Sequence, residues 1–201
     1  MKANTISIET DDFKIKGTAE RMTQLLMAGL LAQALPPAAN VQPIVPQSIP
    51  ALGEYWPGQG GFNGGLVAAR GDVPAHYLII AKEDIGTHEW GGRGTECRAT
   101  SKTDGLYNTE VLCNDEVEHP AANACAEHQA DGRHDFYLPA CAELYHCWVN
   151  VPDLFAKDTW YWSSSQRSAY SAFYVGFGDG TQDFSGKFYE LRVRPVRRFF
   201  I

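Results

Sequence analysis

Six histidines and five cysteines are the residues of this chain most able to bind metal or move protons. Cys125 and His128 stand three apart, which on a helix puts both on one face as two metal ligands. A zinc site needs more ligands, and no second pair follows at zinc-finger spacing. Cys141 and Cys147 are six apart and point to different faces of a helix over 139–149, so they do not bridge. The odd count and the wide spacing from Cys97 through Cys113 argue for buried free thiols rather than a disulfide framework. Asp179 and Asp183 flank a Gly-containing turn but supply too few carboxylates for a calcium loop. Ser163-Ser164-Ser165 offers hydroxyls without an identifiable base. Gly58-x-Gly60-Gly61-x-Asn63-Gly64-Gly65 misses the dinucleotide fingerprint at its last position, and no strand is expected before it. There is no phosphate loop and no Gly-x-Ser-x-Gly elbow. The expectation is a protein that is not an enzyme, with no metal and no cofactor.

The elements that would position these residues suit recognition better. Hydrophobic residues make up 44% and charged residues 20% of 201, the composition of a globular chain. A net charge of −7 argues against a general nucleic-acid binder. No apolar run reaches the roughly eighteen residues a membrane span needs. Leu25–Leu35 has the length of a signal-peptide core, but Glu9, Asp11, Asp12 and Glu20 precede it, so no signal peptide is expected. Residues 5–16 alternate loosely, as a short strand would. Thr18 can cap a helix running to about Leu35, and Pro36-Pro37 ends it. Pro36 to Pro50 then reads as a stiff linker, dividing residues 1–50 from a domain over 51–201. That domain should be irregular α+β: a strand at Tyr77–Ala81, helices over 120–130 and 139–149 each opened by Pro, then short aromatic strands.

In the last forty residues Tyr, Ser, Gly, Phe and Asp crowd together, the composition of an antibody paratope. Period two puts Phe173, Val175 and Phe177 on a core face and Tyr174 and Gly176 on an exposed one. Gly178-Asp179-Gly180 signals a tight turn, and Thr181 to Gly186 reads as loop. Leu191 and Val193 should point inward while Arg192 and Arg194 point out. Arg192, Arg194, Arg197 and Arg198 form a basic group expected to bridge to the domain's own acids or stay solvated.

Three stretches carry a family resemblance: Trp162-Ser163-Ser164-Ser165-Gln166, the run Ser168 through Gly180, and Arg192-Val193-Arg194-Pro195-Val196-Arg197-Arg198-Phe199. They resemble the variable region of proteins diversified by diversity-generating retroelements, which place it on a C-type-lectin-like fold. Gly53-Glu54-Tyr55-Trp56-Pro57, Asp135-Phe136-Tyr137-Leu138-Pro139 and Val151-Pro152-Asp153-Leu154-Phe155 resemble the same lectin-like family. The resemblance covers about residues 52–201, with the variable region at about 160–201. It implies that adenines in Asn codons are randomised to NNY codons, which cannot encode Lys, Glu, Gln, Met or Trp. Variable, ligand-binding status then falls on Tyr170, Ser171, Tyr174, Gly176, Thr181, Asp183, Phe184, Ser185, Gly186, Phe188 and Tyr189, none of an excluded type. Arg167 is also permitted, while the excluded Gln166, Gln182, Lys187 and Glu190 fall between them.

The resemblance implies a display protein of a phage tail or a bacterial surface that binds a protein or cell-surface ligand. Residues 1–50 would then serve homo-oligomerisation or tail attachment. Two alternatives stand beside it. One is a lectin-fold enzyme of the formylglycine-generating type, which uses a cysteine pair. The other is a constant tail or scaffold subunit. Trp148-Val149-Asn150 does not reproduce the Trp-Asn-Asp motif of calcium-dependent sugar binders.

Overall fold

The computed structural model describes residues 5–9, 14–18, 20, 23, 24, 27 and 49–200. The chain divides into two compact units, Met1–Ser48 and Ile49–Ile201. In the first, β1 (Thr5–Glu9) and β2 (Lys14–Thr18) form an antiparallel hairpin with Thr5 opposite Thr18 and Glu9 opposite Lys14. Two paired strands thus replace the single strand expected over 5–16. Glu20, Thr23, Gln24 and Met27 are helical. The rest of the helix expected over 18–35, and the Pro-rich linker up to residue 48, lie outside the described residues.

The second unit is α+β, with strands predominating. β3 (Tyr55–Trp56), β4 (Gly61–Val67), β5 (His76–Ala81) and β11 (Val196–Phe200) form a four-stranded antiparallel sheet in the order β11-β5-β4-β3. β6 (Thr87–Glu89), β7 (Trp160–Ser168), β8 (Ser171–Gly176), β9 (Gln182–Gly186) and β10 (Glu190–Arg192) form a second sheet, ordered β6-β10-β7-β8-β9. Three helices pack on them: α1 (Gly105–Cys113), α2 (Pro120–Glu127) and α3 (Cys141–Asn150). Pro120 opens α2, where its missing N–H costs nothing. α2 stops at Glu127, short of the expected Ala130. Asp131 and Gly132, at φ 51° and 73°, instead turn the chain between the bridged Ala130 and Arg133. The turn aims Asp131 Oδ2 at the N–H groups of Gly58 and Gly60 and the hydroxyl of Tyr55. The glycine-rich segment is therefore a turn leading into β4, with the two-residue β3 just before it.

Two apolar clusters flank β7 and β8. Leu78, Ile80, Leu144, Cys147, Tyr161, Val175 and Phe177 meet on the α3 side. Trp90, Leu112, Ala121, Cys125, Trp162, Ala172 and Val193 meet on the other, the Trp162 side. Both faces of the strand pair are covered there, so Ser163, Ser164 and Ser165 are fully buried. Their hydroxyls are used structurally. Ser163 Oγ donates to Phe173 O, Ser165 Oγ donates to Ser101 O, and Ser164 Oγ accepts from Asn108 Nδ2. Tethering of this kind is what a buried hydroxyl requires.

The terminal arginines hold the unit together from inside. Arg194, expected to point outward, is 7% exposed; it donates to the carbonyls of Ala81, Lys82 and Leu154 and pairs with Asp84. Arg192, half-buried, pairs with the same Asp84. Arg197 bonds Asp135 through two nitrogens, and Arg198 reaches Asp104, Glu143 and Tyr137. The expected bridging to the domain's own acids is present. It is buried rather than solvated for Arg194, Arg197 and Arg198 because the acids come from four separate segments folded around β11. Glu143 also accepts from the backbone N–H groups of Ala140 and Gly105, which ties the starts of α1 and α3 together.

Candidate recognition surface

β8 and β9 pair antiparallel with Tyr174 opposite Asp183 and Phe173 opposite Phe184. Residues 182–186, expected as loop, thus form an edge strand, because β8 offers a pairing template that short polar residues accept. The hairpin turns at Gly178–Gly180, where Asp179 Oδ1 accepts the N–H of Thr181 and Gly180 takes φ 78°.

Alternation along β8 and β9 sorts the candidate residues onto two sides. Tyr174, Gly176, Asp183 and Ser185 face the Trp162 side. Tyr174 is half-buried there, its ring 5.8 Å from that of Trp160. A Cβ on Gly176 would lie 3.2 Å from Trp160 Cδ1. Phe184 and Gly186 face the α3 side, as does Phe173. Phe188 lies against Gly186, since a Cβ there would come within 2.6 Å of its ring. The single exposed surface expected to join Tyr174 and Gly176 to Phe188 and Tyr189 is therefore split by the sheet.

Burial differs as well. Tyr170, Phe184, Phe188 and Tyr189 are 63%, 44%, 44% and 52% exposed. Thr181 and Asp183 are also exposed, and Ser185 and Gly186 half-buried. Ser171, expected on the surface, is buried and shares a hydrogen bond with Ser168; Gly176 is buried under Trp160. Phe173, expected in the core, is half-buried beneath the Lys102 ammonium, 3.6 Å from its ring centre. Val175 and Phe177 are in the core as expected.

Behind the exposed aromatics is a buried lysine. Lys187 is fully enclosed and donates to Gly92 O, Thr95 O and Gln166 Oε1, with its ammonium 4.6 Å over the Trp90 ring. Burial pulls its pKa down from the ordinary lysine value. Three acceptors and one aromatic face are what an ammonium needs away from water. The contacts fix residues 91–97, so that Gly94 N–H donates to Ala169 O and Arg93 lies 4.8 Å over the Phe188 ring. Arg167 lies 3.8 Å over Phe184. Neither Arg93 nor Lys102 was among the candidate residues. The Gly91-Gly92-Arg93-Gly94 run was the sequence signal for the first; nothing local marked the second.

The residues weighed for chemistry do not converge. All five cysteines are free. Cys147 is buried in the α3-side cluster, while Cys141 sits at the start of α3 beside Ser163. Cys125 is buried and His128 packs edge-on against Phe136. Among the described residues, no group of three or more His, Cys, Asp or Glu could hold a metal. No described helix is long and apolar enough to cross a membrane. No protein-family model matches the chain, and no curated protein matches it.

Proposed function

We propose that this chain is a ligand-binding display protein of C-type-lectin-like fold, with a C-terminal surface diversified by a retroelement, carried on a phage tail or a bacterial surface. The observation that carries the reading is a division of labour between residue 160 and residue 200. Gln166 and Lys187, of types that NNY codons exclude, are buried and bonded to each other. Tyr170, Phe184, Phe188 and Tyr189, of types those codons permit, are exposed around them. Gln182 and Glu190, also excluded types, are exposed and would be constant parts of the surface. Exposed aromatics at this density mark a contact surface, and Tyr with Ser and Gly adapts readily to new partners. The lectin-like part of the reading is supported by β11 returning to pair with β5, which closes the unit, while a second sheet presents the surface.

Sequencing the 3′ end of the gene deeply across a growing population of its source tests the reading. Substitutions confined to first and second codon bases and concentrated at positions 170–189 are expected. An invariant 3′ end would instead favour a constant structural subunit with a fixed partner.

A further inference from the structure

On the α3 side of β8 and β9, three aromatic rings each carry a cation. Lys102 Nζ is 3.6 Å from the centre of Phe173, Arg167 Cζ is 3.8 Å from Phe184, and Arg93 Cζ is 4.8 Å from Phe188. The rings are neighbours. Phe173 and Phe184 are directly opposed across the ladder, and Phe188 covers Gly186, two residues beyond Phe184 on the same side. All three cations are exposed. Lys102 and Arg167 are close enough to repel: after burial, the guanidinium helps hold the Lys102 ammonium below its ordinary value. None of the three forms a salt bridge among the described residues. The acid of β9, Asp183, belongs to the other side and accepts the N–H of Phe184.

A row of unneutralised cations on a chain of net charge −7 calls for an anionic partner. An exposed guanidinium held over a ring makes its contact through the ring face and still has N–H groups for a carboxylate, which its fork matches bidentately. Beside Phe173 is a hollow of about 300 Å³ bordered by Lys102, Cys141, Ala142, Tyr145 and Gln182, with room for an apolar side chain. We propose that this row binds an acidic extended segment of a partner protein, with its Asp or Glu carboxylates on Arg93, Arg167 and Lys102 and an apolar residue in the hollow. Nucleic acid fits less well. Base stacking needs open aromatic faces, and each of these rings already carries a cation.

The inference rests on reading this surface as a recognition surface, but it is tested apart from diversification. The full chain is titrated into fluorescent, end-blocked peptides alternating Glu and Phe, into the matching Gln-Phe peptide, and into single-stranded DNA, at low and at raised salt. The expected result is binding to the Glu peptide alone, weakened by salt. Arg93→Ser combined with Arg167→Ser should weaken it about tenfold, two exposed ion pairs' worth, with an unchanged melting temperature. Equal binding of the Gln peptide, tighter binding of DNA, or indifference to the double substitution would overturn it. Absence of Glu-peptide binding in a population whose gene does diversify would sink the acidic-partner inference alone. Charge-dependent peptide binding with an invariant gene would keep the inference and remove diversification.

Discussion

Lys187 Nζ donates to Gln166 Oε1 at 2.7 Å, joining β7 to the turn between β9 and β10 through a fully buried ion. Gln166 is held in turn by Cys97, whose N–H donates to Oε1 and whose carbonyl accepts from Nε2. The exposed residues around the pair rest on this fastening. Lys187→Met keeps the length and removes the ammonium, leaving Thr95 O without its donor, while Gly92 O keeps only the Thr95 N–H and Gln166 Oε1 only its bonds from Cys97. The expected cost is about 3 kcal/mol, with faster amide exchange in residues 91–97. Unchanged exchange there would mean that the loop is held by something else.

Trp162 is fully buried and its Nε1 donates to His88 O at 3.0 Å. Trp162→Ala should cost about 3–5 kcal/mol by chemical denaturation. A loss well below that range would mean the Trp162-side cluster closes around the gap.

The exposed aromatics should separate from the half-buried one. Tyr189→Ala should change stability by no more than about 0.5 kcal/mol. Tyr174→Ala removes a ring contact with Trp160 and should cost about 1 kcal/mol. Equal effects in thermal melts would show that the two positions do not differ in environment as described.

Stability should depend on pH in two separate windows. Burial holds His76, His128 and His146 below the ordinary histidine value of 6.5, and in His146 it outweighs the bond to Gly64 O. The unfolded chain then takes up protons first as pH falls. The contribution is complete above 6.5 and is lost as pH drops through the folded values. Asp135 titrates lower: burial raises its pKa, the Arg197 bonds overcome this, and the result lies below the ordinary 3.8. Its contribution is present above 3.8 and disappears in stronger acid. Melting temperature should therefore fall in two stages on acidification, and His146→Gln should flatten the first. A melting temperature rising between neutrality and mild acid would contradict the sign.

Some of this architecture is legible in the sequence because local chemistry and tertiary role agree. Tyr77–Ala81 is an unbroken apolar run and is a strand; Pro120 marks the start of α2 and Pro139 lies just ahead of α3. α1 escapes the same reading because its buried side carries Asn108 and Thr109. Asn108 bonds Ser101 and Ser164, and Thr109 Oγ1 bonds the carbonyls of Gly105 and Leu138. Those partners stabilise a polar interior that apolar periodicity cannot register. β9 is a strand only through its ladder with β8. The inward turn of Arg194 depends on Asp84, more than a hundred residues earlier in the chain. At the surface, composition marks Tyr170, Phe184, Phe188 and Tyr189 correctly as exposed. The covered Ser171 and Gly176 look no different from their neighbours in sequence.

The pairing of β11 with β5 has a consequence for how errors in this gene would be handled. Residues 196–200 follow every other strand, yet they supply the partner of β5 and the two guanidiniums that neutralise Asp135, Asp104 and Glu143. A frameshift or premature stop anywhere in the preceding forty codons would delete or garble them. The product would keep a half-assembled sheet and uncompensated interior acids, a state open to proteolysis. In-frame changes at exposed positions leave the same closing strand intact. Folding itself thus discriminates between a C-terminal segment altered at its exposed positions and one that has been broken.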